Sequence, residues 1–278
     1  MKTNLKLQKK IIMCFTGEPR SFSKGLKSRT NLLNKSNIYK FEIESRYLIS
    51  FSNEYKKSNN KLRTLKSLKN FNQDKNLKSI KLTSYKYENI WANLISQKYE
   101  ILCDLIRESE NIDQSIIILT RTDWYFSKKT LDFVQKAIHL NKIIIPFITN
   151  EYSEFEGKQY KPMFDQFMII PGDLIKKVVE AMKISIKIAS VEKENKIIKN
   201  LRLGGDGRFR YGISPENLLG LGFALSKLDK AVKTINDFEY QFAPDMYGTN
   251  PHNLIRDDAH IWMNLSFKDF CQKYWWFI

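Results

Sequence analysis

Apolar residues along this chain recur with two periods, and its elements follow from them. Ile116-Ile117-Ile118-Leu119-Thr120 is an unbroken run of the kind that a strand buried on both faces shows, and it stops abruptly at Arg121-Thr122-Asp123-Trp124-Tyr125-Phe126. Shorter runs predict strands over Lys10–Phe15, Tyr47–Phe51, Lys78–Leu82, Ile143–Phe147 and Phe164–Ile170. Helical spacing is clearest over 87–109, where Tyr87, Ile90, Trp91, Leu94, Ile95, Ile101 and Leu105 recur. Further helices are expected at 130–139, from Pro171-Gly172-Asp173 to Ser190, and from Ser214-Pro215-Glu216, where proline suits the first helical position. Another is expected after Ser21, which would cap it, with Phe22, Leu26 and Leu33 on one face. Residues 53–78 and 149–161 read as polar loops, and Gly204–Gly207 as a tight turn.

Strands and helices alternate, which predicts an α/β fold: a Rossmann-type, mostly parallel sheet flanked by helices. Neither a linker nor an internal repeat interrupts the pattern. A single domain over 1–278 is expected, with a core at about 10–230 and a helical annex in the extension 231–278.

Composition narrows the class. The chain is 42% hydrophobic and holds five Trp, thirteen Tyr and eighteen Phe, enough large apolar surface for a packed core despite its many Lys and Asn. Cys14, Cys103 and Cys271 are widely spaced without a CxxC pair, which argues against a disulfide framework or structural zinc and for a reducing compartment. The basic start followed by Ile11–Phe15 is shorter than a secretory apolar region of about 7–15 residues, and no run nears the ~20 needed to span a bilayer. A cytoplasmic protein, or one peripheral to the inner face of the membrane, is expected.

The net charge of +16 is uneven. Residues 1–100 carry 22 Lys and Arg against 7 Asp and Glu, whereas the remainder carries 24 against 23. Such a surface attracts anions: nucleotide phosphates, an acidic polysaccharide or an anionic leaflet. Solvated lysines in a chain rich in Lys, Asn and Ile are the plainer explanation.

Four places carry candidate chemistry. In the turn Thr16-Gly17-Glu18-Pro19-Arg20-Ser21, glycine lets the backbone approach a ligand, amides at a helix start favour phosphate, and Arg20 can grip it with a planar fork. Arg121 and Asp123 follow the longest apolar run, at the strand end where ligands gather in open α/β sheets; a structural ion pair is the alternative. Asp165 sits among apolar residues and either binds a sugar or is a buried acid satisfied by backbone amides. Glu216, at a helix start, is a general base, an acceptor ligand or simply an acid favoured by the helix dipole. In the tail, Asp257, Asp258 and His260 could complete a cation site or form an exposed acidic helix, and Tyr274–Ile278 could close the core or dock at a membrane interface.

Taken in order, these four places resemble the bacterial surface-polysaccharide (capsule and lipopolysaccharide) glycosyltransferases of the GT-A type. That group has an SGxPRS-like turn, an RxDxxF element, a later nDxF element and a PE helix start, matched here by Thr16–Ser21, Arg121–Phe126, Phe164–Phe167 and Pro215-Glu216. The match spans roughly residues 10–225 and rests on the order of short motifs. It implies a GT-A α/β domain, a nucleotide-sugar donor, and a glycan or lipid-linked acceptor. On it, Thr16, Gly17, Pro19, Arg20, Ser21 and Arg121 would hold the donor diphosphate, Asp123 would bind a metal or the sugar, and Asp165 or Glu216 would deprotonate the acceptor. Many GT-A enzymes carry an Asp-x-Asp pair for Mn²⁺ or Mg²⁺, whereas here the first position is Arg121. Magnesium held by Asp123, phosphates and water, or a metal-independent site in which Arg20 and Arg121 neutralise the leaving diphosphate, are both open.

Two other classes are weighed against it. The Gly17–Ser21 turn could serve a sulfotransferase as its phosphosulfate loop, although Phe22-Ser23-Lys24 follows in place of the usual Gly and Thr. The basic first third could bind nucleic acid, but zinc-finger spacing, an RNP-type aromatic strand and a basic helix with a clean polar face are all missing.

Overall fold

A computed structural model of the chain describes residues 10–17, 41–51, 71–87, 90–122, 124–126, 130–145, 152–155, 157–191, 215–234 and 254–256. In chain order they form strands β1 (Lys10–Gly17), β2 (Glu42–Phe51) and β3 (Leu77–Ser84), helix α1 (Ile90–Glu108), strands β4 (Ser115–Arg121) and β5 (Trp124–Phe126), and helix α2 (Thr130–Leu140). Then come β6 (Ile143–Ile145), β7 (Ser153–Phe155), β8 (Lys158–Tyr160), β9 (Phe167–Pro171), helices α3 (Ile175–Val191) and α4 (Pro215–Leu225), β10 (Val232–Thr234) and β11 (Leu254–Arg256). The expected helix after Ser21, the Gly204–Gly207 turn and Tyr274–Ile278 lie outside the described residues.

Seven of these strands make one sheet in the order β10-β6-β9-β4-β1-β2-β3. Every pairing is parallel except those of β9, which runs against both β4 and β6. The chain is thus α/β with a mostly parallel mixed sheet. The reversal of β9 has a local reason: β6 ends at the carboxyl edge, and the described residues that follow form the β7–β8 hairpin rather than a crossover helix, so the chain re-enters the sheet from the edge it left.

Side chains alternate across the sheet and build a core on each face. Ile12, Cys14, Leu48, Ile117, Leu119, Met168 and Ile170 pack against α1, α3 and α4. Ile11, Met13, Phe15, Tyr47, Ile116, Ile118 and Ile169 pack against α2 and Phe71 on the other. The central strands β1, β4 and β9 are buried along almost their whole length, which is why they read as continuous apolar runs. Helix α4 is buried on nearly all sides, and two glycines let it sit so close. A Cβ on Gly220 would lie 2.2 Å from the Lys161 carbonyl oxygen, and one on Gly222 would lie 2.4 Å from that of Ala181 in α3.

Two expectations change. Strand β2 starts at Glu42 instead of Tyr47, because the charges that hid it are paired: Arg46 bonds Glu44 beside it and Glu108 at the end of α1, and Lys10 lies 2.7 Å from Glu44. The polar stretch 149–161 contains the β7–β8 hairpin, tied to α4 by Ser153 Oγ and Tyr160 OH donating to Asn217 Oδ1 at 3.1 and 3.3 Å. Of the extension 231–278 the structure describes only residues 231–234, where β10 joins the main sheet, and 254–256, where β11 pairs antiparallel with β5; the rest of the expected helical annex lies outside the described residues. Arg256 therefore lies in a strand, while Asp257, Asp258 and His260 are outside the described residues.

Candidate functional site

Six of the seven strands point one way, so the carboxyl ends of β1, β2, β4 and β6 share an edge with the start of β9. The strand order runs outward from β1 to β2 and β3 on one side and passes to β4 on the other. In open α/β sheets the place where the strand order changes direction, between two neighbouring carboxyl ends, is the usual ligand position. Here the neighbours are the last residues of β1 and β4, and Thr16 pairs in register with Arg121.

Three of the expected site residues lie at the ends of β1 and β4. Thr16 is buried at the end of β1, and Gly17 follows with φ +106°, a conformation that side chains other than glycine's rarely adopt. A Cβ there would meet nothing within 4 Å, so glycine serves the backbone turn and not a tight packing contact. Arg121 is half-buried, and its Nη1 donates to Gln166 Oε1 at 3.2 Å. Thr120 Oγ1 donates to the Gln166 carbonyl oxygen at 3.2 Å, which fastens the segment before β9 to the end of β4.

Asp165 precedes Gln166 in that segment. Its side chain is 2% exposed, and Lys98 Nζ, on α1 and 4% exposed, lies 2.6 Å from Oδ2. The acid is therefore satisfied by an ammonium, not by backbone amides, and among the described residues Oδ1 has no hydrogen-bond partner. Glu216 sits in the first turn of α4, half-buried, and its carbonyl oxygen accepts from the Met163 amide at 3.0 Å. The start of α4 is thus pinned to the segment that carries Asp165 and Gln166. Pro19, Arg20, Ser21 and Asp123 lie outside the described residues.

Lys98 and Gln166 were not among the expected site residues. A signal for the first was present: Lys98 falls between Leu94, Ile95, Ile101 and Leu105 on the apolar stripe of its helix, where a lysine requires a buried acid. Gln166 has no comparable signature.

The described charged groups at this edge are Arg121, the mutually paired Lys98 and Asp165, and Glu216. Among the described residues no three His, Cys, Asp or Glu side chains converge. Elsewhere in the first hundred residues, Lys10, Arg46, Lys81 and Lys86 are each bonded to acids, so these cations are structural. Among the described residues no helix is long and apolar enough to cross a membrane. Compared with known proteins, the chain matches no family model and no curated protein.

Proposed function

We propose that this chain is a glycosyltransferase of the GT-A type that moves a sugar from a nucleotide-sugar donor to a cell-surface glycan or lipid-linked acceptor, in the cytoplasm at the inner face of the membrane. The observation that carries this reading is the register of Thr16 with Arg121 at the point where the strand order changes direction. A positive-φ glycine next to the strand end that carries Arg121 supports a diphosphate as the ligand. The bonds from Arg121 to Gln166 and from Met163 to Glu216 bring the later two motifs to the same edge, which supports their acting on one substrate.

In this reading Thr16, Gly17, Pro19, Arg20, Ser21 and Arg121 grip the donor diphosphate and stabilise the charge that grows on it as the glycosidic bond breaks. Asp123 contacts the donor sugar or a divalent cation. Glu216, half-buried and at the edge, takes the proton from the acceptor hydroxyl. Asp165, held by Lys98, positions the Gln166 segment rather than touching the proton.

The test is donor hydrolysis and transfer with a panel of nucleotide sugars, with and without Mn²⁺ or Mg²⁺. Turnover that falls at least a hundredfold in Arg121→Ala and Glu216→Gln supports the assignment. Unchanged turnover in both variants refutes these roles, and binding of phosphoadenosine phosphosulfate in preference to every nucleotide sugar refutes the transferase class.

A further inference from the structure

Among the described residues, two polar side chains near the carboxyl edge carry no hydrogen bond. Gln97 on α1 is 4% exposed with neither amide atom partnered, and Ser50 near the end of β2 is fully buried with its Oγ equally unpartnered. Burying such groups unsatisfied costs stability, so their retention asks for a ligand that meets them.

Helix geometry brings the two together. Gln97, Asp104 and Glu108 follow at i, i+7 and i+11, one stripe of a helix. Asp104 and Glu108 bond Lys81 on β3, and Glu108 also bonds Arg46 on β2, so Gln97 lies on the flank of α1 that faces these strands. The helix runs against them. Seven residues back from Asp104 advance about 10 Å toward the carboxyl edge. Three strand residues beyond Leu48, the β2 neighbour of Lys81, advance about the same distance. Gln97 is then level with the end of β2, and Ser50, four residues from Arg46, shares the face that α1 covers. Gly17 pairs with Ile49, so this place is one strand away from the glycine turn.

We infer that Gln97 and Ser50 form a subsite for a planar group with adjacent hydrogen-bond donor and acceptor, and that this group is the base of the nucleotide. The inference rests on the nucleotide-dependent reading above. A carboxamide presents a donor beside an acceptor and matches the same pair on a base edge, while Leu48, Ala92 and Ile95 belong to the apolar cluster beneath. The diphosphate of the same ligand reaches Thr16, Gly17 and Arg121 across one strand.

The experiment is calorimetric titration of the full chain with UDP, GDP and, as a probe without a base, inorganic pyrophosphate. Gln97→Met is expected to weaken nucleoside diphosphates about tenfold, the loss of one or two hydrogen bonds, and to leave pyrophosphate unchanged. It is also expected to raise Tm, because an unsatisfied amide is removed. If UDP and GDP bind the variant as tightly as the parent, Gln97 meets a buried water instead and the subsite is overturned while the transferase reading stands. If the parent binds pyrophosphate but shows no gain from any base, the subsite is overturned; if it binds none of the three, both readings fall. Ser50→Ala, which removes only an Oγ, carries the same comparison should Gln97→Met not fold.

Discussion

The Lys98–Asp165 pair is the most exacting test of the architecture, because it joins α1 to the segment that enters β9. The perturbation is Lys98→Met, which keeps the aliphatic stem and removes the charge. At 2.6 Å the Coulomb attraction is about 6 kcal/mol at an effective dielectric of 20. Desolvation of two groups that are 4% and 2% exposed offsets most of it, so the intact pair contributes little net stability. Breaking it is different: Asp165 would remain buried with Oδ2 bare as well as Oδ1, a loss of about 3–5 kcal/mol. The double variant Lys98→Met/Asp165→Leu removes both charges and should recover most of that loss. Urea denaturation of the parent, the two single variants and the double gives the coupling directly. A single-variant loss below about 1 kcal/mol, or simple additivity in the double, would show that the charges do not meet in a dry interior.

Gly222→Ala places a methyl against the Ala181 carbonyl oxygen and Ser185 Oγ and should cost about 1–3 kcal/mol in a denaturant melt, since the nearest backbone cannot move without parting α3 from α4. Burial opposes ionisation of Glu44, but hydrogen bonds from Lys10 and Arg46 outweigh it; bonds from Lys81 and then Arg46 lower Glu108 likewise. Carboxyls lowered on folding stabilise above the unfolded value near 4.5 and lose that contribution as pH falls through the lowered folded values, so Tm should drop below about pH 4.5 and Glu44→Gln should flatten that limb. Burial pushes the Cys14 thiol up to about 12, so iodoacetamide at pH 8 should leave Cys14 unmodified in the folded chain, as read by mass spectrometry, and alkylate it in urea; labelling without denaturant would contradict its place inside the sheet.

Which features could be read without coordinates depended on how local their causes were. The apolar runs at Ile11–Phe15 and Ile116–Thr120 can satisfy themselves only as strands covered on both faces, and α1 declares its period over five turns. Glu42–Arg46 was hidden for the opposite reason: its charges look solvated until Glu108, 62 residues beyond Arg46, is brought to them. The hairpin at 153–160 is likewise stabilised by Asn217, which is remote in sequence.

Local chemistry therefore determined the class of fold and the strand ends where polar residues interrupt apolar runs. Tertiary structure alone decided that Thr16 neighbours Arg121, that β9 runs backward, that Asp165 faces Lys98, and that Gln97 is left unsatisfied. Periodicity reports only which side of an element is apolar. Pairing across the sheet depends on the order of strands, which no window of sequence contains.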